Sequence, residues 1–253
     1  MKWFYSQLKL NKFEKSKGRK LALSIQDTIS LALFKHQQNI GTKKSLFNIF
    51  ALKCSYKTLV VNLNRFSNLA LIILLALLQI NHKQASLVKH SDSTDIPVCL
   101  SKNARRHKTM KFFSNWGKTG KGWFYGLKLH ITTDLQRRLL AVRFSSGNVH
   151  DSQVFMELNK ELDGLFVADA GYCSEKLSRE FYQENKRILF AKPKKNMKKL
   201  ITKFQYELYN TRMLIEINFR DLKLFHGLIT SLPRSINGYF ANYIYSLLSC
   251  FLF

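Results

Sequence analysis

Three carboxylates occupy positions in this sequence where they could bind metal ions. Asp169 directly follows the apolar run Leu165–Ala168, which is typical of a buried central strand, and it precedes the glycine-containing segment Ala170–Tyr172. Asp92 stands at the end of a first predicted strand, Ala85–Asp92. A carboxylate at the carboxyl end of a strand, beside a glycine that lets another group approach closely, is suited to ligand or metal binding. Each of the two, taken singly, is also typical of a helix cap or a turn residue.

The third carboxylate, Glu216, falls inside a long predicted helix from about Lys203 to Phe225. One polar stripe, within roughly 60° of arc, is formed by residues spaced three, four and seven apart: Tyr209, Arg212, Glu216 and Lys223. Apolar residues surround this stripe, which predicts a largely buried helix. A buried Glu is costly unless it is paired or bound to a metal. The spacing therefore leaves two interpretations of Glu216 open, a metal ligand and a structural ion pair with Arg212.

Two Asp and one Glu, brought together from two strands and a helix, would make a hard oxygen site. Such a site suits two Mg²⁺ ions, with Mn²⁺ as a substitute. Two metal ions about 4 Å apart can activate a water or a 3′-hydroxyl, and stabilise the leaving oxygen, in an in-line attack on a phosphodiester. The three carboxylates predict phosphoryl transfer on nucleic acid.

The charge balance indicates the same substrate. The 253 residues include 41 Lys plus Arg and 16 Asp plus Glu, a formal net charge of +25. This excess of positive charge attracts polyanions, so nucleic acid is the first partner to consider and an anionic membrane the second. Because 46% of the residues are hydrophobic, the chain is not a disordered basic tail. Four scattered cysteines without a C-x-x-C pair argue against a zinc ribbon or a disulfide scaffold and fit a reducing cytoplasm. The longest apolar runs, Leu69–Leu78 and Tyr239–Phe253, are shorter than the ~20 residues of a membrane helix, so they predict core helices and no membrane partner.

The elements that must position the carboxylates follow an informative order. Residues 1–82 are predicted to form a basic helical DNA-binding domain, with Ser24 capping the helix that begins at Ile25, and residues 83–253 a catalytic domain. The predicted strands of the second part are Ala85–Asp92, Gly122–Thr133, Arg138–Ser145, Leu165–Ala168 and Arg187–Ala191. Its predicted helices are His150–Leu162, Ser174–Asn185 and the long helix that carries Glu216. Three antiparallel strands followed by alternating helices and strands is the order of ribonuclease-H-like domains, a mixed α/β sheet covered by helices on both faces.

With these residues in this order, the sequence resembles bacterial insertion-sequence transposases of the DDE type, most of all the group named after insertion sequence 982. Asp92-Ser93-Thr94, with Cys99 seven residues after Asp92, is similar to the first catalytic motif of that group, and Val167–Tyr172 is similar to the second. The polar stripe matches the Y-x2-R-x3-E-x6-K signature of related transposases. Phe124–His130 and Gly147–Asp151 also resemble segments of these enzymes. The resemblance spans about residues 24–251.

The resemblance implies that Asp92, Asp169 and Glu216 bind two metal ions. It further implies that Tyr209 and Arg212 orient the Glu and contact DNA near the cleaved bond, and that Lys223 holds a phosphate. The implied enzyme binds the terminal inverted repeats of its element, cleaves there and joins the 3′ ends to target DNA. We expect it to act on double-stranded DNA as a homodimer in the bacterial cytoplasm, associated with the nucleoid.

Alternatives remain at the level of residues and of function. Asp95 competes with Asp92 for the first metal position, but the two would face opposite sides of a strand, and Pro97 predicts that the strand has ended by Asp95. Asp151, at a predicted helix start, is typical of a first-turn acid. A nuclease or resolvase of the same fold would cut without joining ends. An inactive DNA-binding remnant is the other alternative, because the sequence stops inside the apolar run SLLSCFLF, as a truncated frame would.

Two basic segments are candidate DNA contacts. Residues 96–133 contain no acidic residue but mix basic and aromatic ones, a combination that can hold phosphates and stack on bases. The second segment lies between residues 186 and 203. The candidate contacts in the two segments are Arg105, Arg106, Lys128, Lys194 and Lys195. Each segment is otherwise interpretable as a solvated loop.

Overall fold

The computed structural model describes residues 2–14, 21–120, 122–193, 197 and 200–252. The chain divides into two compact units, one formed by Met1–Leu77 with Arg220–Phe253 and the other by Leu78–Phe219. The division into residues 1–82 and 83–253 stays a prediction. The helices of the described residues are α1 (Lys2–Gln7), α2 (Ile25–Gln37), α3 (Lys43–Ile49), α4 (Tyr56–Arg65), α5 (Ser67–Lys83), α6 (Asp151–Leu158), α7 (Glu175–Asn185), α8 (Lys203–Asn210), α9 (Met213–Leu224) and α10 (Ile236–Phe251). The strands are β1 (Val88–Pro97), β2 (Asn115–Thr119), β3 (Gly122–Asp134), β4 (Leu139–Ser146), β5 (Leu165–Ala168) and β6 (Ile188–Ala191).

The unit that contains the N-terminal residues is helical. Its α2 begins after Ser24, whose Oγ accepts a hydrogen bond from the backbone N–H of Asp27, so the predicted cap is confirmed. Helix α2 packs against α4 and α10, and Ile25, Ile29 and the Tyr245 side chain are buried in this core. The Tyr245 hydroxyl donates to the Leu63 carbonyl oxygen at 3.0 Å, which ties α10 to α4.

The helical stretch Tyr56–Lys83, made of α4 and α5, is 28 residues long and apolar. By length and composition alone it could cross a membrane, which the shorter apolar runs in the sequence did not predict. A core helix of a globular protein meets the same criteria, and 44% of the apolar window is buried within the protein. Ala70, Ile73 and Leu74 are among the fully buried residues, as a core helix requires.

The other unit is built on a six-stranded mixed sheet with the order β2-β3-β1-β5-β6, and β4 pairs with β3. Strand β1 runs antiparallel to β3 and parallel to β5. On one face, Phe166 of β5 packs against Phe155 of α6 and Phe181 of α7. On the other, the His90 side chain of β1 meets Thr211, between α8 and α9. A mixed α/β sheet with helices on both faces confirms the predicted ribonuclease-H-like class.

Three elements differ from their prediction. Strand β1 continues to Pro97, so Asp92 lies in its middle and Asp95 is still part of it, and the prediction that the strand has ended by Asp95 is wrong. Strand β2 was not predicted, because its sequence, NWGKT, combines strand-depleted Asn, Gly and Lys and lacks an apolar alternation. The long helix predicted from Lys203 is broken into α8 and α9.

The helix break has a tertiary cause. The Thr211 hydroxyl donates to the Leu208 carbonyl at 2.6 Å and lies 2.8 Å from Nε2 of His90 in β1. The backbone N–H of Arg212 bonds to Tyr209, three residues earlier, so the chain turns more tightly here than an α-helix does. His90, a residue of strand β1, therefore fixes the junction between α8 and α9.

Candidate active site

Asp92 lies within β1, and Asp169 directly follows β5, the strand that runs parallel beside β1. The last paired residues of the two strands are His90, two residues before Asp92, and Val167, two residues before Asp169. Residues two apart along a strand share a face of the sheet. That face is the one on which His90 meets Thr211, and both carboxylates are therefore turned towards the junction of α8 and α9.

Arg212, in this junction, joins two of the carboxylates. Its Nη1 lies 2.5 Å from Oδ2 of Asp92, and its Nη2 lies 2.5 Å from Oε1 of Glu216 in the first turn of α9. Tyr209, three residues before Arg212, donates its hydroxyl to Oδ1 of Asp169 at 3.4 Å. The junction thus brings all three predicted carboxylates into one polar cluster.

Glu216 is 58% exposed, so the prediction that it is buried is wrong. The buried residues of α9 form one narrow face of the helix: Ile215, Asn218, Phe219 and Leu222. Glu216 lies beside that face rather than within it. The ion pair with Arg212, one of the two interpretations left open by the spacing, is present.

Burial dominates the electrostatics of Asp92. It raises the pKa of this carboxyl to about 6, while Arg212 and a hydrogen bond from the Ser93 backbone N–H to Oδ1 at 2.8 Å oppose the shift. The negative charge of Asp169 raises the Asp92 pKa further. Asp92 is consequently a carboxylate whose charge the protein compensates incompletely.

The donor set fits a divalent cation in its chemistry and charge. Carboxylate oxygens are the ligands that Mg²⁺ prefers, and three ionised carboxylates around one guanidinium leave two negative charges in excess. Within the described residues, no group of three His, Cys, Asp or Glu side chains is close enough to hold one ion. Arg212 supplies the counter-charge that Asp92 and Glu216 share. Asp92 and Asp169 are near enough for the charge of Asp169 to raise the Asp92 pKa.

The rival carboxylate Asp95 faces the other side of the sheet. It is opposite Lys128 of β3. The Lys128 ammonium donates to the Val149 carbonyl and to Oδ1 of Asp151, both at 2.9 Å. Asp151 is the first residue of α6 and follows the cap His150, in agreement with its prediction as a first-turn acid. The three-residue separation in β1 thus sends Asp92, and not Asp95, towards Arg212.

The predicted DNA contacts are in different surroundings. Arg105 and Arg106 are exposed at the end of a short 3-10 helix, Ser101–Arg106. Lys128 is 13% exposed and holds Asp151. Lys223 belongs to the helical unit, and Lys194 and Lys195 lie outside the described residues.

His90 and Thr211 are site residues that the sequence did not identify. His90 is fully buried, and burial lowers its pKa to about 4, so its ring is neutral at pH 7. The available signal was the two-residue spacing from His90 to Asp92, which places both on one face of a strand. No local pattern in the sequence linked His90 or Asp92 to Thr211, which lies 119 positions after Asp92.

A family model described as a transposase DDE domain matches residues 82–235. The match covers the sheet, α6 to α9 and all three carboxylates. No curated protein matches the chain. Since the family model accounts for more than half of the residues, this chain belongs to the family of transposase DDE domains.

Proposed function

We propose that this protein is the transposase of an insertion sequence of the type named after insertion sequence 982. It binds the terminal inverted repeats of its element, cleaves the DNA there and joins the freed 3′ ends to a target. The observation that carries this proposal is the cluster in which Arg212 and Tyr209 gather Asp92, Asp169 and Glu216.

In this proposal Asp92, Asp169 and Glu216 hold two Mg²⁺ ions, for which Mn²⁺ can substitute. Held by these carboxylates, Mg²⁺ would supply Lewis-acid activation of the attacking oxygen and charge stabilisation of the leaving oxygen. Asp92 lies in β1 and Asp169 directly follows β5, whereas Glu216 is exposed on α9 and is held by its ion pair with Arg212. Arg212 and Tyr209 orient these carboxylates, and both are proposed to contact DNA next to the reacting bond.

A basic and aromatic surface in the same unit is the proposed DNA track. Arg105 and Arg106 are exposed, as are the Trp116 and Trp123 rings on the hairpin of β2 and β3. The Lys118 ammonium lies 5.8 Å from the centre of the Trp123 ring. Rings beside cations can stack on bases while the cations hold phosphates.

Further DNA contacts are proposed for Lys128, Lys194, Lys195 and Lys223. The helical residues 1–82 are proposed to bind the inverted repeats, because they carry 13 Lys plus Arg and two acidic residues before Phe66. A homodimer that brings two element ends together, in the bacterial cytoplasm at the nucleoid, completes the proposal.

The test is a strand-transfer assay with purified protein and duplexes that carry the inverted repeats flanking its gene. Asp92→Asn, Asp169→Asn and Glu216→Gln should each lower strand transfer by about 100-fold or more, because changes outside the ligands of a metal site already cost about 10- to 100-fold. Asp95→Asn is the matched control on the opposite face of β1 and should keep activity.

Gel-shift measurements separate catalysis from binding. All four variants should bind the duplex as the wild type does. An Asp92→Asn variant that still joins ends, or an Asp95→Asn variant that is equally inactive, would refute the site. Cutting without joining would make the protein a nuclease of the same fold, and binding without cutting would make it an inactive remnant.

A further inference from the structure

The helical unit contains a cavity of about 380 Å³ between α2, α3, α4 and the start of α10. We call it the lysine pocket, after Lys35 and Lys43, which line it together with Asn64 and Arg234. The other lining residues combine apolar side chains, such as Tyr56 and Leu232, with polar ones, among them Thr42 and Asn242. Of the described residues that line it, none is a carboxylate.

The sequence explains why the lysine pocket lacks an acidic partner. Residues 28–91 and 222–253 contain no Asp or Glu. The walls of the pocket come only from residues 35–64 and 230–242, which lie inside these two stretches. The positive charges of the pocket are thus left without an internal counter-ion.

Lys35 is the decisive group. Lys35 is only 9% exposed. Among the described residues, its ammonium has no hydrogen-bond or ion-pair partner. The Lys43 ammonium is partly satisfied, because it donates to Oδ1 of Asn64 at 2.6 Å. The Lys35 ammonium therefore lines the cavity with no group of the described chain to compensate its charge, and an ion of opposite sign in the cavity would supply that compensation.

Both lysines keep their charge at neutral pH. Burial lowers the pKa of Lys35 to about 8 and that of Lys43 to about 8, and the Lys35 charge lowers the Lys43 pKa further. A group with such a pKa is still about 90% protonated at pH 7. Both lysines line the same cavity, which places their charges around one space for an anion.

The start of α10 adds to the positive potential. Ser235 and Gly238 line the lysine pocket, and the Ser235 hydroxyl accepts a hydrogen bond from the Gly238 N–H at 3.1 Å. Helix α10 has 16 residues, and the N-terminus of such a helix carries a partial positive charge that favours anions. Arg234, exposed at the rim, is a third cation.

We propose that the lysine pocket binds a phosphate group, supplied either by the backbone of DNA or by inorganic phosphate. A phosphate oxyanion offers several acceptors to ammonium groups that surround it, and two lysines with a helix N-terminus are a common setting for one. This inference does not rest on the catalytic proposal, since every residue of the pocket belongs to the helical unit.

Thermal unfolding tests the site with inorganic phosphate as the probe. Sodium phosphate should raise the Tm above that in sodium chloride of equal ionic strength, by about 4 °C at about ten times the Kd. Lys35→Met should abolish this difference. In phosphate-free buffer it should melt no lower than the wild type, because the charge it removes is unpaired. Lys57→Met, at an exposed lysine of α4, is the matched control and should keep the full phosphate effect.

A second variant protects the test against a folding defect. Arg234→Gln changes an exposed rim residue and should reduce the phosphate effect without lowering the Tm in chloride. Equal Tm values of the wild type in phosphate and chloride would overturn the proposal, as would a full phosphate effect in Lys35→Met.

Duplex binding identifies the source of the phosphate. If it is DNA, Lys35→Met weakens the binding of a 20-base-pair duplex more than Lys57→Met does, and inorganic phosphate competes with the duplex in the wild type better than chloride. If it is free phosphate, both variants change duplex affinity equally while the Tm effect of phosphate stays specific to Lys35.

Discussion

Removal of the Arg212 guanidinium should affect Asp92 and Glu216 unequally. Arg212 is 13% exposed, Asp92 17% and Glu216 58%, although both ion pairs measure 2.5 Å. A charge-assisted hydrogen bond between mostly buried groups contributes about 1.5–3 kcal/mol to stability. An exposed ion pair four residues apart on a helix contributes about 0.3–0.5 kcal/mol. We therefore expect coupling energies of about 2 kcal/mol for Arg212 with Asp92 and about 0.5 kcal/mol for Arg212 with Glu216.

Double-mutant cycles measure these two couplings directly. The variants are Arg212→Met, Asp92→Asn, Glu216→Gln and the two double variants that contain Arg212→Met. Urea unfolding at pH 7.5 is followed by tryptophan fluorescence, with Trp116 and Trp123 in the same unit as reporters. The buffer contains EDTA, because a divalent ion bound by the carboxylates would add its own binding energy to the native state.

A second cycle supplies the reference for an ordinary surface pair. Lys203 and Glu207 are four residues apart on α8, 4.0 Å from each other, and both are highly exposed. Their coupling should lie near zero. Equal couplings of Arg212 to Asp92 and Glu216 would refute the view that Arg212 mainly secures the strand carboxylate. A coupling of Arg212 to Glu216 larger than its coupling to Asp92 would mean that Arg212 acts mainly as an ion-pair partner within the helix.

Three further predictions concern a buried hydrogen bond, a close backbone contact and a buried histidine. Asn159→Leu should lower the free energy of unfolding by about 2–3 kcal/mol in urea titrations, because fully buried Asn159 accepts a hydrogen bond from the Thr132 hydroxyl at 2.6 Å. Gly126→Ala should cost at least about 3 kcal/mol, since its Cβ would stand 2.1 Å from the Ile96 carbonyl oxygen. Burial lowers the pKa of His36 to about 3, below its unfolded value, so stability should fall with decreasing pH between 6.5 and 3, and His36→Gln should flatten that slope in unfolding measured across this range.

Each of these outcomes has a matched comparison. Gly120→Ala, with no atom within 4 Å of the new Cβ, should be nearly neutral, and a loss equal to that of Gly126→Ala would contradict the steric explanation. Asn103→Leu, at an exposed position, should cost less than about 0.5 kcal/mol. An unchanged pH slope in His36→Gln would show that other groups cause it.

Local patterns in the sequence were sufficient for the elements whose signal is local. The apolar run Leu165–Ala168 is β5 with unchanged bounds, and the Ser24 cap lies where its hydroxyl and the following helix predict it. The order of strands and helices was enough for the class of fold. In these elements the residue types themselves, branched or apolar in the strand and hydroxylic at the cap, favour the observed backbone.

Features that depend on distant contacts were not predictable from the same patterns. The extension of β1 to Pro97 depends on its antiparallel pairing with β3, in which Pro97 is opposite Gly126. The exposure of Glu216 depends on which side of α9 packs, and the residue types around the helix left that open. For the lysine pocket, the sequence shows two stretches without acids, but only the fold brings them together around one cavity.

Because the helix is broken, the spacing of Tyr209, Arg212 and Glu216 does not place these residues along one continuous helix. The three-residue step from Tyr209 to Arg212 coincides with the tight turn in which the Arg212 N–H bonds to the Tyr209 carbonyl. The four-residue step from Arg212 to Glu216 matches one turn of an α-helix, and their ion pair spans it. Because the junction is held by His90, two residues before Asp92 on β1, the strand that carries one carboxylate also sets the orientation of the residues that hold the other two.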